Sequence, residues 1–113
     1  MQSDARVFIH DVASSVQAIQ SFCLGHNWEH YRDDLLLRSA CERHLEIIGE
    51  AMTRLRDRHP DEFDRFQNAH AIIGLRNRLI HGYDAVDSAI VWDIIVSKLP
   101  ALAREARERL GTT

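Results

Sequence analysis

Residues 33–58, DDLLLRSACERHLEIIGEAMTRLRDR, decide the fold. Within them Leu37, Cys41, His44, Ile48, Ala51 and Leu55 recur in steps of three and four, the spacing that stacks side chains on one face of an α-helix. The segment therefore reads as a long helix from about Asp33 to Arg58. Pro60 closes it, since a proline lacks the N–H a helix interior needs and its ring collides with the preceding turn. Gly49 interrupts the pattern at mid-helix, where glycine costs about 1 kcal/mol relative to alanine. Close approach of a second helix is the physical reason to keep a residue without a Cβ there.

The same period continues to either side. Ser3 or Asp4 can cap a first helix carrying Phe8, Val12, Val16, Ile19 and Cys23, with Gly25 as its stop. Residues 26–32 read as a connection with room for a short helical turn. A third helix is predicted from about Asn68 to Gly82. Asp87 or Ser88 then caps a fourth, with Trp92, Ile95, Leu99, Leu102, Ala106 and Leu110 on one face and a kink at Pro100. No alternating run is long enough for a strand. Four amphipathic helices with short connections predict an all-α chain, an antiparallel four-helix bundle formed by residues 1–113 as one domain.

Composition narrows the function. With 45% hydrophobic and 27% charged residues among 113, the chain has the balance of a soluble globular domain. Nothing approaches the ~18 apolar residues of a membrane span, and Asp4 and Arg6 interrupt the opening residues where a secretory leader would be apolar. A cytoplasmic location is expected, with Cys23 and Cys41 as small buried hydrophobes of a reducing compartment. The net charge of −3 argues against a broad basic surface but not against a local basic cleft. Arg54, Arg56, Arg58 and His59 make one such concentration, Arg76 and Arg78 another.

Two patterns suggest metals and have simpler explanations. His26-Asn27-Trp28-Glu29-His30 matches H-x-x-E-H, but it falls at a helix connection on a chain far smaller than the zinc enzymes bearing that motif, so a polar turn is the reading preferred. Glu42, Glu46 and Glu50 line one helix face, yet the Glu-x-x-His pairs of a di-iron bundle are missing. A solvated or salt-bridged stripe is expected, from which one carboxylate could reach an arginine. Neither a metal nor another cofactor is expected.

The segment Gly74-Leu75-Arg76-Asn77-Arg78-Leu79-Ile80-His81-Gly82-Tyr83 carries the chemistry. On a wheel of about 100° per residue, Arg76 lies within roughly 60° of Ile72, Ile73, Leu79 and Ile80, so it leaves the apolar face of its helix. A buried guanidinium must meet a carboxylate, an interface cleft or an anionic ligand. Asn77, Arg78 and His81 lie around the other side, at steps of three and four from one another's reach. Arg76 and His81 are about 140° apart and converge only if the helix loosens near Gly82, if the long arginine reaches round, or if a second subunit completes the site. These residue types suit phosphodiester cleavage without a metal: His81 exchanges protons near neutrality, and the planar fork of Arg76 matches phosphate oxygens. Asn77 can orient the imidazole or a phosphate, and Tyr83 adds a hydroxyl. The plainer alternative is a helix-end salt bridge, a His-Gly cap and a packing tyrosine.

The segment resembles the signature of the HepT-like branch of the HEPN superfamily: Arg, a polar residue, three further positions, His, any residue, Tyr. Leu45-Glu46-Ile47-Ile48-Gly49-Glu50-Ala51 is similar to that family's second-helix block. Ile90-Val91-Trp92-Asp93-Ile94-Ile95 with Leu99-Pro100 is similar to its fourth, and the three blocks stand in the family's order. The resemblance implies a bundle that dimerises, placing two Arg/His motifs beside a shared cleft. It implies a metal-independent ribonuclease toxin with Arg76 and His81 as the catalytic pair, acting on transfer RNA or another cellular RNA. Asn77 and Arg78 would support RNA binding, Arg78 standing outside the core pattern. It also implies a partner, a minimal nucleotidyltransferase antitoxin, which silences the toxin by AMP transfer to Tyr83. A non-catalytic module of the same bundle, binding RNA or a partner, is the alternative.

Overall fold

A computed structural model describes residues 1–82 and 86–111, and every described element is helical. They are α1 (Ser3–Cys23), α2 (Trp28–Asp33), α3 (Leu35–Arg58), α4 (Pro60–Phe63), α5 (Ala69–His81), α6 (Ser88–Ser97) and α7 (Leu99–Leu110). No described helix is long and apolar enough to cross a membrane.

Helix α3 is the spine: α1 packs along it on one side and α5 on another, while α7 lies against α1 and α2 against α6. Its start is fixed by Asp34, whose Oδ1 accepts the Leu37 N–H at 3.0 Å, satisfying one of the donors a helix N-terminus leaves over. The predicted apolar face is the buried one, with Leu37, Cys41, Leu45, Ile48, Ala51, Met52 and Leu55 all in the core. His44, placed on that face by its spacing, stays half-buried because its Nδ1 shares a 3.0 Å hydrogen bond with Ser15 Oγ on α1. Such a partner is what lets a polar ring sit at a helix contact.

The connection at 26–32 is more ordered than its composition suggests. Asn27 Oδ1 accepts the His30 N–H at 2.9 Å, and His30 Nδ1 accepts the Asn27 N–H at 3.1 Å, a reciprocal cap that starts α2. The H-x-x-E-H pattern is thus spent on a helix start. That cap lets α2 drive Tyr31 fully into the core, where its ring lies 6.5 Å from Trp28 and 5.2 Å from Trp92 of α6. Burial holds the Tyr31 hydroxyl well above the usual phenol range.

The segment expected as one kinked helix is two helices. Pro100 can give no N–H to the Val96 carbonyl, and its ring crowds that turn. Helix α6 accordingly ends at Ser97, Lys98 stands between the two helices at φ −113° and ψ −32°, and α7 restarts with Pro100 in its first turn. Between α3 and α5 the short α4, begun by Pro60, presents Glu62 to α7, where Arg109 donates two hydrogen bonds of 2.8 and 2.7 Å. That fork-to-fork pairing holds the Glu62 carboxyl below the usual carboxylate range.

Candidate active site on helix α5

Helix α5 buries Ala69, Ile72, Ile73 and Leu75 against the bundle, which turns the next positions outward. Arg76 is half-buried, and Asn77, Arg78 and His81 are exposed. Tyr83 lies outside the described residues.

The position of Arg76 is set by α3. A Cβ added to Gly49 would stand 2.3 Å from the Arg76 Cβ and 2.6 Å from its Cγ, far inside contact distance. The arginine stem therefore lies on the bare backbone of α3, as close as two helices come only where one contributes no side chain. Beyond the stem, Nη1 donates to Asn77 Oδ1 at 3.1 Å. The Nε is buried and, among the described residues, has no hydrogen-bond acceptor.

Two of the carboxylates in the α3 stripe, Glu46 and Glu50, are engaged along their own helix. Arg43 pairs with Glu46 at 3.4 Å and Arg54 with Glu50 at 2.8 Å. Burial raises the Glu42 carboxyl above its ordinary range, and no ion pair joins it to Arg76 among the described residues. The other basic concentration is neutralised as well: Arg56 meets Asp57, and Asp4 takes both Arg58 and His59. Arg76 and Arg78 are different. Neither has an ion-pair partner among the described residues, so the guanidinium charge on α5 is available where that near residue 56 is not. Arg78 borders a small cleft between α5 and α6 with Leu75, Val86, Asp87, Ile90 and Val91.

His81 ends α5 without distortion. The Gly82 N–H still reaches the Arg78 carbonyl at 2.8 Å, and Gly82 itself has φ −115°, outside the left-handed region. The expected loosening ahead of Gly82 is therefore not what joins the pair. Five residues of intact helix separate Arg76 from His81 by about 7.5 Å along the axis, and no hydrogen bond links them among the described residues. The site as one chain presents it is a guanidinium wedged against α3 and tied to Asn77. A second cation and an imidazole stand round the exposed side. Asn77, read from spacing as able to orient the imidazole or a phosphate, bonds Arg76 and makes no hydrogen bond to His81 among the described residues.

Helix α5 thus carries two guanidinium groups with no ion-pair partner among the described residues, beside an exposed imidazole. Local basic charge of this kind is a feature to look for in nucleic-acid-binding proteins. Comparison with known proteins makes the class specific. The family model described as "Ribonuclease HepT-like" matches residues 12–109, and the chain belongs to this HepT-like family. A protein of Methanocaldococcus jannaschii named "Putative RNase" is 29% identical over 110 residues, covering 95% of this chain and 88% of its own. Another of that name, from Caldanaerobacter subterraneus subsp. tengcongensis, is 31% identical over 108 residues, 93% of each chain. The "Probable ribonuclease HepT" of Thermococcus cleftensis is 28% identical over 105 residues, 90% of this chain and 92% of its own. No solved structure matches the chain.

Proposed function

We propose that this protein is a metal-independent endoribonuclease in which Arg76 and His81 are the catalytic pair. The observation that carries the reading is Arg76, a guanidinium fixed by its packing on Gly49 with a buried Nε that lacks an acceptor among the described residues. A buried donor of that kind is costly to leave unmet, and a phosphate oxygen supplies the missing acceptor. His81 takes the proton of a ribose 2′-OH or returns one to the leaving 5′-oxygen, while Arg76 holds the phosphorane charge as it builds. Asn77 keeps the Arg76 fork oriented, and Arg78 adds backbone affinity for the RNA, a transfer RNA or another cellular RNA.

In this reading α1, α3, α5 and α6 with α7 together constitute the antiparallel four-helix bundle of a single HEPN domain. Two copies pair, supported by the exposed apolar side chains of Ile90 and Val96 on α6, and each pair presents two motifs to one cleft. The protein is the toxin of a type VII-like toxin–antitoxin system. Its partner nucleotidyltransferase joins AMP to the Tyr83 hydroxyl, releasing pyrophosphate from ATP. Intact mass after incubation with ATP and that enzyme rises by AMP units in the wild type and not in Tyr83→Phe; a shift that survives the substitution removes the proposal.

The test of the enzyme is total RNA incubated with wild type or His81→Ala in the presence of a chelator. Wild type gives fragments ending in 2′,3′-cyclic phosphate, and the variant loses about 10²–10⁴-fold in rate, the usual contribution of a general acid–base. Equal fragment patterns from both proteins overturn it. The separation of Arg76 from His81 around α5 favours a second reading, a module that binds RNA or a partner without turnover. Binding without cleavage, unchanged in His81→Ala, would establish it instead.

A further inference from the structure

Away from α5, the last residue of α1 and the second turn of α3 bring together two thiols that lie 18 positions apart in the chain: the Cys23 and Cys41 sulfurs are 3.6 Å apart, both free. We propose that Cys23 and Cys41 form a reversible dithiol–disulfide site whose oxidant is a hydroperoxide.

Three features carry this. First, a sulfur–sulfur bond of about 2.05 Å lies only about 1.5 Å from the contact already present. Second, that closure is accessible on one side. Cys41 is fully buried in the wall of α3, but Cys23 ends α1 and is followed by Leu24 and Gly25, the latter at φ +79°, so the final turn of α1 can yield without disturbing the core. Third, the two thiols differ in the way the chemistry requires. Cys23 is half-exposed, and the hydrogen bond from Cys41 holds its thiol below the usual range. Cys41 is held well above that range by the same contact and by burial. The exposed sulfur is therefore the nucleophile and the buried one the resolving thiol.

The Cys23 thiolate attacks the terminal peroxide oxygen, the O–O bond breaks, and the alkoxide leaves to take up a proton. Cys23 is then a sulfenic acid. The Cys41 sulfur attacks the Cys23 sulfur, the S–O bond breaks, and the hydroxyl departs with the Cys41 proton as water. Two thiols have lost two electrons, and the peroxide has become an alcohol and water. The product ties α1 to α3 and is reopened by a dithiol reductant.

The experiment does not depend on the ribonuclease reading, because its readout is mass. Reduced protein is treated with cumene hydroperoxide, alkylated and digested with trypsin without reductant. The expected product carries its link within one chain, is two hydrogens lighter per chain, and yields residues 7–32 cross-linked to residues 39–43. Its Tm is higher by several degrees, and dithiothreitol restores mass and Tm. Cys23→Ser should show no mass change, and Cys41→Ala should stop at sulfenic or higher oxides of Cys23. Two free thiols after treatment, oxygen addition in the wild type, or a cross-link only between chains would each overturn the site.

Discussion

Gly49 and Arg76 show how one residue fixes another across a helix contact. Taken alone, α3 would prefer alanine at position 49 by about 1 kcal/mol. Against α5 the preference reverses, because the new Cβ meets the Arg76 Cβ, which is anchored to its own backbone and cannot rotate away. Gly49→Ala is expected to lower stability by about 1–2 kcal/mol, overpacking exceeding the gain in helix propensity, and to reduce RNA cleavage by shifting Arg76. Thermal unfolding and the cleavage assay check this; a variant more stable than wild type would mean that the contact is slack. The motif itself was legible in the sequence, as was the need for a small residue at 49. That the two features meet was not, because a wheel shows faces of one helix and says nothing of which neighbour each face touches. The Arg76–Asn77 bond was equally hidden, since adjacent residues diverge on a wheel until a long side chain folds back.

At the scale of elements, the long helices α1, α3 and α5 could be read nearly to their ends from period, though α1 starts after Gln2 with no side-chain cap in place of the one expected from Ser3 or Asp4. What escaped were contacts decided by tertiary packing. Tyr31 sits in a polar-looking connection, and only the Asn27–His30 cap converts those residues into a helix that buries it. Pro100 was expected to bend a helix, whereas the run breaks at Lys98 and Pro100 stands in the first turn of a new one. The clasp of α4 on α7 has a pH signature. Glu62, depressed by Arg109 in the folded protein, has an ordinary carboxyl pKa of about 4.3 when unfolded. Its contribution is therefore complete above that value and vanishes as pH falls through the lower folded value. With side chains 18% and 30% exposed, the pair should contribute about 1 kcal/mol. Chemical denaturation of wild type and Arg109→Gln should show a gap at pH 7 that closes under acid. A gap independent of pH would assign the effect of Arg109 to packing.

For the whole molecule, the proposed dimer makes a sharp demand. If each site takes Arg76 from one subunit and His81 from its partner, mixing Arg76→Ala with His81→Ala chains produces heterodimers with one intact site. Two inactive proteins should then regain RNA cleavage on co-refolding. If both residues act within one chain, every heterodimer carries two damaged sites and the mixture stays inactive. The intact helix between the two residues favours the first outcome, since nothing in α5 bends His81 toward Arg76.

Helix α7 rests on α1, and Arg6 Nη2 donates to the Leu110 carbonyl at 2.9 Å across 104 positions of sequence. Such a contact closes the longest loop in the chain, and loop-closure entropy delays it behind the nearer pairing of α1 with α3. The seam between the two ends should thus form after the rate-limiting barrier to folding. Leu102→Ala, which empties a fully buried position on α7 at about 2–5 kcal/mol, should accelerate unfolding in stopped-flow experiments and leave refolding almost unchanged. A proportionate slowing of refolding would place that seam in the nucleus. Otherwise the time the folded protein survives is governed by how tightly its last helix holds its first.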